Sequence, residues 1–334
     1  MKYVSVLRYR QAERNALKSV APISKNLPLL EVVANRQIDQ VLSDLPVLKS
    51  TVMIDLPTYL PVTTRTEQSI GAFLQEIQVN PESRLAYYQR LQDSRVIPVV
   101  TYNPQLSTYS GNIQLEAWRL RDLFPRLAFR IFVQHALIAI NEIKQVIKGG
   151  DIVVMDIDEA PHTQPYLKST VYPQVVALKT QVNCDLVLVR SAIPASTKNT
   201  GLTNNAVVAQ ADNSLLSDFQ NYNFGAFGDF AGIKKTDLSE GGTISPGVIF
   251  YSWKGNNYYG FNSSVKSVEQ FARTIAPNIV QSQPWISLSA THRNTCPGCL
   301  RIAGVATGST PSGNQATWKQ ISCAHYLYTM EESL

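Results

Sequence analysis

The chain predicts an α/β fold, a (β/α)8 TIM-barrel-like architecture with insertions and a C-terminal appendage, on three observations. Eight short β-branched or apolar runs recur along its 334 residues, most of them tend to end in a charged or polar residue, and helical patterning separates most of them. Strands buried on both faces read as continuous apolar runs, and strand–helix alternation is the sign of a parallel sheet. Eight such units are the number that closes the sheet into a barrel, whose sites form at the C-terminal strand ends.

The first run, residues 3–9 (YVSVLRY), precedes 11–20, where Ala12, Ala16, Leu17 and Val20 stand at helical spacing. The second, 28–33 (PLLEVV), leads into 35–45, with Ile38, Val41, Leu42 and Leu45 on one face and Asn35 as a candidate cap. After the third, 52–56 (VMIDL), come two helical segments, 67–78 and 81–93, where a minimal barrel needs one. Runs four to six are 97–102 (IPVVTY), 128–133 (AFRIFV) and 152–158 (IVVMDID), followed by helices over 114–124, 134–147 and 165–182. Gly149 and Gly150 end the middle one of these helices. After 185–191 (DLVLVRS) the pattern weakens around one helix at 207–219, and the eighth run is 224–230 (FGAFGDF). Residues 233–247 read as a loop, 248–253 and 257–261 as a hairpin turning at Gly255-Asn256, and 267–275 as the helix that closes the barrel. The domain expectation is therefore a barrel over 1–283, with a hairpin insertion near 233–265, and an appendage over 284–334.

Composition narrows the function classes. A net charge of +5 favours an anionic partner mildly, but no dense Lys/Arg block marks a nucleic-acid footprint. No stretch approaches the roughly 20 apolar residues of a membrane span, the N-terminus has no secretory pattern, and four cysteines do not make a disulfide scaffold. A soluble, cytoplasmic protein is the expectation. Sequences of the forms GxxxxGK[ST], HExxH, GxSxG and GxGxxG are absent.

Three groups of residues carry candidate chemistry. Glu31, Asp55, Asp156, Asp158 and Asp229 fall at or near run ends, and Asp156 and Asp158 share a strand face by period two. Such acids hold Mg²⁺ or Mn²⁺, or act as general acid or base. Arg8, Arg10 and Arg190 suit phosphate on the same rim, and His162 is a candidate base. The alternative is that these charges pair with one another across the mouth. Second, Cys296-Pro-Gly-Cys299 has CxxC spacing, and Cys323 or His325 can complete a tetrahedral zinc site, with His292 just upstream. A redox dithiol and unliganded thiols are the alternatives. Third, GAFGDFAG with Lys234, Lys235 and Gly241-Gly242 offers glycines for phosphate approach, or glycines that relieve crowding in the barrel wall.

The opening YVSVLRYRQAERNAL with LPLLEV resembles the bacteriophage and bacterial "beta protein" family, through Arg8, Arg10, Gln11, Glu13 and the Pro28–Glu31 strand. The block Phe227-Gly228-Asp229-Phe230, residues 241–261 and the ending 318–328 are also similar, although Ala324-His325 stands where a His-His pair is expected. The resemblance implies a barrel-like protein of prophages and defence loci, encoded beside a partner protein. The leading expectation is thus a component of a multi-protein anti-phage defence system whose barrel mouth binds a nucleotide or nucleic-acid end. A non-catalytic scaffold or sensor for a protein partner is the alternative, and a divalent-metal-dependent hydrolase of phosphorylated small molecules the second.

Overall fold

Eight parallel strands close into a barrel in a computed structural model that describes residues 2–103, 112–235, 238 and 244–334. The strands are β1 (Tyr3–Arg8), β2 (Leu29–Glu31), β3 (Val52–Asp55), β4 (Val96–Thr101), β5 (Ala128–Phe132), β6 (Ile152–Asp156), β7 (Asp185–Val189) and β9 (Ala226–Asp229), and β9 pairs with β1 to complete the ring. Each falls within the apolar run that predicts it, or within one residue of it. Period-two alternation splits their side chains. Val4, Leu29, Met53, Val99, Val154 and Ala226 fill the barrel, while Tyr3, Leu30, Ile54, Phe129 and Met155 point outward against the helices.

The outer layer comprises α1 (Gln11–Ser19), α2 (Arg36–Leu48), α3 (Gln68–Val79), α4 (Pro81–Arg90), α5 (Asn112–Arg121), α6 (Ala136–Ile143) and α7 (Tyr172–Gln181). Asn35 does not cap α2 through its side chain; its Oδ1 instead accepts from Arg90 Nη1 at 2.8 Å. Gly228 relieves crowding in the wall: a Cβ there would lie 2.6 Å from Val4 O and 2.8 Å from Val189 Cγ2. Gly241 and Gly242 lie outside the described residues.

Two expectations are corrected between and beyond the barrel strands. Residues 207–219 are not one helix. Ala206–Val207 form β8, an edge strand, and only Leu215–Asp218 (α8) is helical, running into a 3-10 turn. The cause is tertiary: β8 is captured by the hairpin of β10 (Gly247–Ser252) and β11 (Asn257–Asn262), pairing Val207 with Tyr259. The helix at 267–275 does not close the barrel either. Phe271 and Ile275, leading into α9 (Ala276–Val280), pack in a second core with Phe250, Phe261 and Trp318. That core also holds α10 (Gln283–Ile286) and α12 (Pro297–Ala306), with α11 (Ala290–Thr295) packed on α12.

The place against β1 and β9 is taken by α13 (Gln315–Ser333), which lies along α1. Lys319 Nζ bonds Glu13 at 2.5 Å, and Glu331 accepts from the backbone of Ser24 and Lys25. One side of α13 gives Tyr326, Leu327 and Met330 to the barrel core, and the other gives Trp318 and Ile321 to the second core. A helix apolar on opposite sides is one buried between layers. Among the described residues no helix is long and apolar enough to cross a membrane.

Candidate functional site

The strand register brings three charged residues to one level: Arg8 pairs with Glu31 across β1–β2, and Glu31 with Asp55 across β2–β3. All three point inward, as does Asp156 on β6. Their centre is Arg130, from the middle of β5, with no solvent exposure. Its Nη1 donates to Glu31 Oε1 at 2.9 Å and Asp55 Oδ2 at 2.8 Å, and its Nε and Nη2 donate to Asp156 Oδ2 at 3.1 and 2.6 Å. Tyr59 OH donates to Glu31 and Asp55 at 3.0 and 2.9 Å. The guanidinium also lies 5.3 Å and 5.0 Å from the ring centroids of Tyr59 and Phe132.

Electrostatics follow from burial and these partners. Burial raises Glu31, but Arg8 and Arg130 outweigh it and hold the carboxyl at about 2. Burial pushes Asp55 up to about 6, against Arg130 and with the help of neighbouring Glu31. Asp55 Oδ1 is buried and without a hydrogen-bond partner. The guanidinium occupies the position between carboxylates where a divalent cation would sit.

Above this floor opens a cleft of about 300 Å³, lined by Tyr59, Tyr102, Asn103, Phe132, Gln134, His135, Asp158 and Lys235. Tyr59 meets Phe132 edge-on at 4.6 Å, and Tyr102 lies 5.6 Å from His135. Lys235 Nζ bonds Asp158 Oδ1 at 2.9 Å. It also lines a second recess, of about 10 Å³, with Arg8, Lys234, Lys319, Glu13 and Glu31, so four cations and two acids border the cleft at Lys235. Arg130, Tyr59, Tyr102 and His135 were not among the residues singled out from sequence. The available signal for Arg130 was a lone charge inside an apolar run; loop aromatics carry none.

The remaining expected residues are dispersed. Asp229 faces outward, where Tyr3 OH (2.7 Å), Tyr326 OH and the Ala231 amide (2.8 Å) donate to it. Burial raises its pKa to about 6, partly offset by those donors. Arg190 pairs with Asp212. His162 is buried, with Nε2 2.9 Å from Asp218 and its ring edge-on to Tyr222. Arg10 is half-buried at the N-cap of α1.

In the C-terminal region, His292, Cys296, Cys299 and His325 form a buried His2Cys2 cluster whose ligand atoms all lie within 4.8 Å of one another. His325 Nδ1 is 3.5 Å from His292 Nε2, 3.6 Å from Cys296 Sγ and 3.5 Å from Cys299 Sγ. Cys323 stands outside the cluster, in the barrel-side core, and His292 takes its place. Two residues along a helix turn the side chain by about 200°, so Cys323 and His325 cannot share a face. Burial raises the Cys296 thiol, but its contacts with Cys299, His292 and His325 outweigh it and hold it far below the usual range. Cys299, in contact with Cys296 and buried, is pushed up.

A family model described as Beta protein matches residues 3–331, nearly the whole chain. No curated protein and no solved structure matches.

Proposed function

The chain belongs to the Beta protein family, and from that premise and the shape of the barrel mouth we propose that it is a ligand-binding barrel for a mononucleotide or a single-stranded nucleic-acid end. The observation that carries this reading is Lys235, which lines both the aromatic cleft and the basic corner. A base fits the first, against Tyr59, Tyr102, Phe132 and His135, with the exposed amide of Gln134 to read its edge. The phosphate is placed at Lys235, where the cleft borders the small recess that Arg8 and Lys234 also line. A volume of about 300 Å³ is at the small end of the range of roughly 300–1,000 Å³ for ligand pockets, which suits one nucleotide and excludes a duplex.

Glu31, Asp55 and Asp156 serve in this reading as the floor, paired with Arg130 and Arg8, rather than as ligands of Mg²⁺ or Mn²⁺. Asp158 holds Lys235 until the phosphate competes for it. The prophage and defence setting that the sequence resemblance implies goes with a role in phage–host conflict beside a partner protein encoded nearby.

Titration calorimetry with ribonucleoside 5′-monophosphates tests the reading. Tyr102→Ala weakens binding about 5–150-fold, the worth of roughly 1–3 kcal/mol of base stacking. Lys235→Ala weakens the monophosphate but not the nucleoside. Heat-silent titrations across all bases would reject the proposal.

A further inference from the structure

We propose that His292, Cys296, Cys299 and His325 are the four ligands of a closed, structural zinc site. The distances have the scale of a tetrahedral shell. Zinc bonds of about 2.0–2.1 Å to nitrogen and about 2.3 Å to sulfur give tetrahedral edges of roughly 3.4 Å between nitrogens and roughly 3.5–3.6 Å between nitrogen and sulfur. The nitrogen–nitrogen edge here is 3.5 Å, and the two nitrogen–sulfur edges measured at His325 are 3.6 and 3.5 Å.

The outer partners orient both histidines toward that centre. His325 Nε2 lies 2.9 Å from the Tyr251 carbonyl oxygen, which can only accept. The ring proton therefore sits on Nε2, and Nδ1 presents its lone pair to the cluster. His292 Nδ1 lies 2.6 Å from Glu332 Oε2, which by the same logic leaves Nε2 as the ligand atom. A carboxylate or carbonyl behind each ligating imidazole is the usual second-shell arrangement of a metal-bound histidine. A redox dithiol would need neither histidine.

Closure distinguishes a structural from a catalytic ion. All four ligands are buried, Phe250 stacks on His325 at 4.2 Å, and Tyr328 covers His292 edge-on at 5.2 Å. With four protein ligands in place, no coordination position remains for substrate. Binding exchanges two thiol protons for one Zn²⁺, and two thiolates with two neutral imidazoles leave a neutral complex suited to a buried place. Gly298, inside the CxxC, makes the approach possible: a Cβ there would lie 2.7 Å from both His325 Cβ and Ile321 O. The ion would tie α11, α12 and α13 together and, through Tyr251, hold them to the hairpin.

Elemental analysis of full-length protein purified without chelators is expected to find one zinc per chain, lost in Cys299→Ser and kept in Cys323→Ser. If Cys299→Ser does not fold, cobalt exchange into the unaltered chain still decides. It should give the visible ligand-field bands of a tetrahedral site and the near-ultraviolet charge-transfer bands of two thiolates. Fully reduced protein that takes up neither metal, or zinc lost equally in Cys323→Ser, would overturn the assignment. So would a Cys296–Cys299 disulfide in fresh protein with no metal uptake after reduction.

Discussion

Arg130 is held by Glu31, Asp55, Asp156 and Tyr59 with no exposure to water, so removing it leaves three buried acids facing one another. Breaking a buried ion pair by deleting one partner costs about 3–5 kcal/mol. Arg130→Met is therefore expected to lower unfolding free energy by at least that range in urea titrations; a loss under about 1 kcal/mol would show that the network adds little. This residue was readable in part. Residue 130 has the parity of Ala128, an interior position, yet a charge inside an apolar run draws less notice than one at its end. Asp229 fails for the complementary reason: Val4 pairs with Gly228 and points inward, so the next residue along β9 points out. That parity depends on cross-strand register, which a single chain does not print. Position at the C-terminal strand ends is what marked Glu31, Asp55 and Asp156 as one group.

At the scale of elements, α1 and α2 are joined by one acid. Asp44 accepts from Tyr9 OH and Arg14 Nε, both at 2.5 Å, and from Lys18 Nζ at 2.9 Å. Burial raises its pKa, but these donors outweigh burial and hold it at about 2. Since the folded value lies below the unfolded value of about 3.9, its stabilisation is present above pH 4 or so and lost as pH falls toward 2. Asp44→Asn should flatten that limb of stability against pH, by roughly 1–2 kcal/mol across the window. An unchanged slope between pH 4 and pH 2 would contradict the clamp. Helices and strands with strong local pattern were legible: the eight runs, the paired helices α3 and α4, and the β10–β11 hairpin. What misled was context. Val207 joins a strand because Tyr259 offers it a ladder, and 267–275 packs away from the barrel because Trp318 and Phe250 await it.

On the scale of the whole molecule, α13 carries His325 in the His2Cys2 cluster and, next to it, Tyr326, whose hydroxyl donates to Asp229 of the barrel. On the proposed zinc assignment, removing the metal is expected to perturb a buried carboxylate in the barrel layer as well as the second core. Calorimetry after chelation should show one transition moved down by roughly 5–10 °C, the shift that a few kcal/mol produces in a large single unit. A separate early transition with the barrel melt unmoved would contradict this coupling. Such a link was not readable from the CxxC and the tail, because it rests on which face of α13 meets which core. The proposed ligand site lies at the mouth, and its test is a crystal structure grown with a saturating ribonucleoside 5′-monophosphate. The account predicts a base in the cleft between Tyr102 and Phe132, with its phosphate in hydrogen-bond reach of Lys235. Density for the nucleotide elsewhere, with Lys235 still on Asp158 and the cleft holding only solvent, would contradict it.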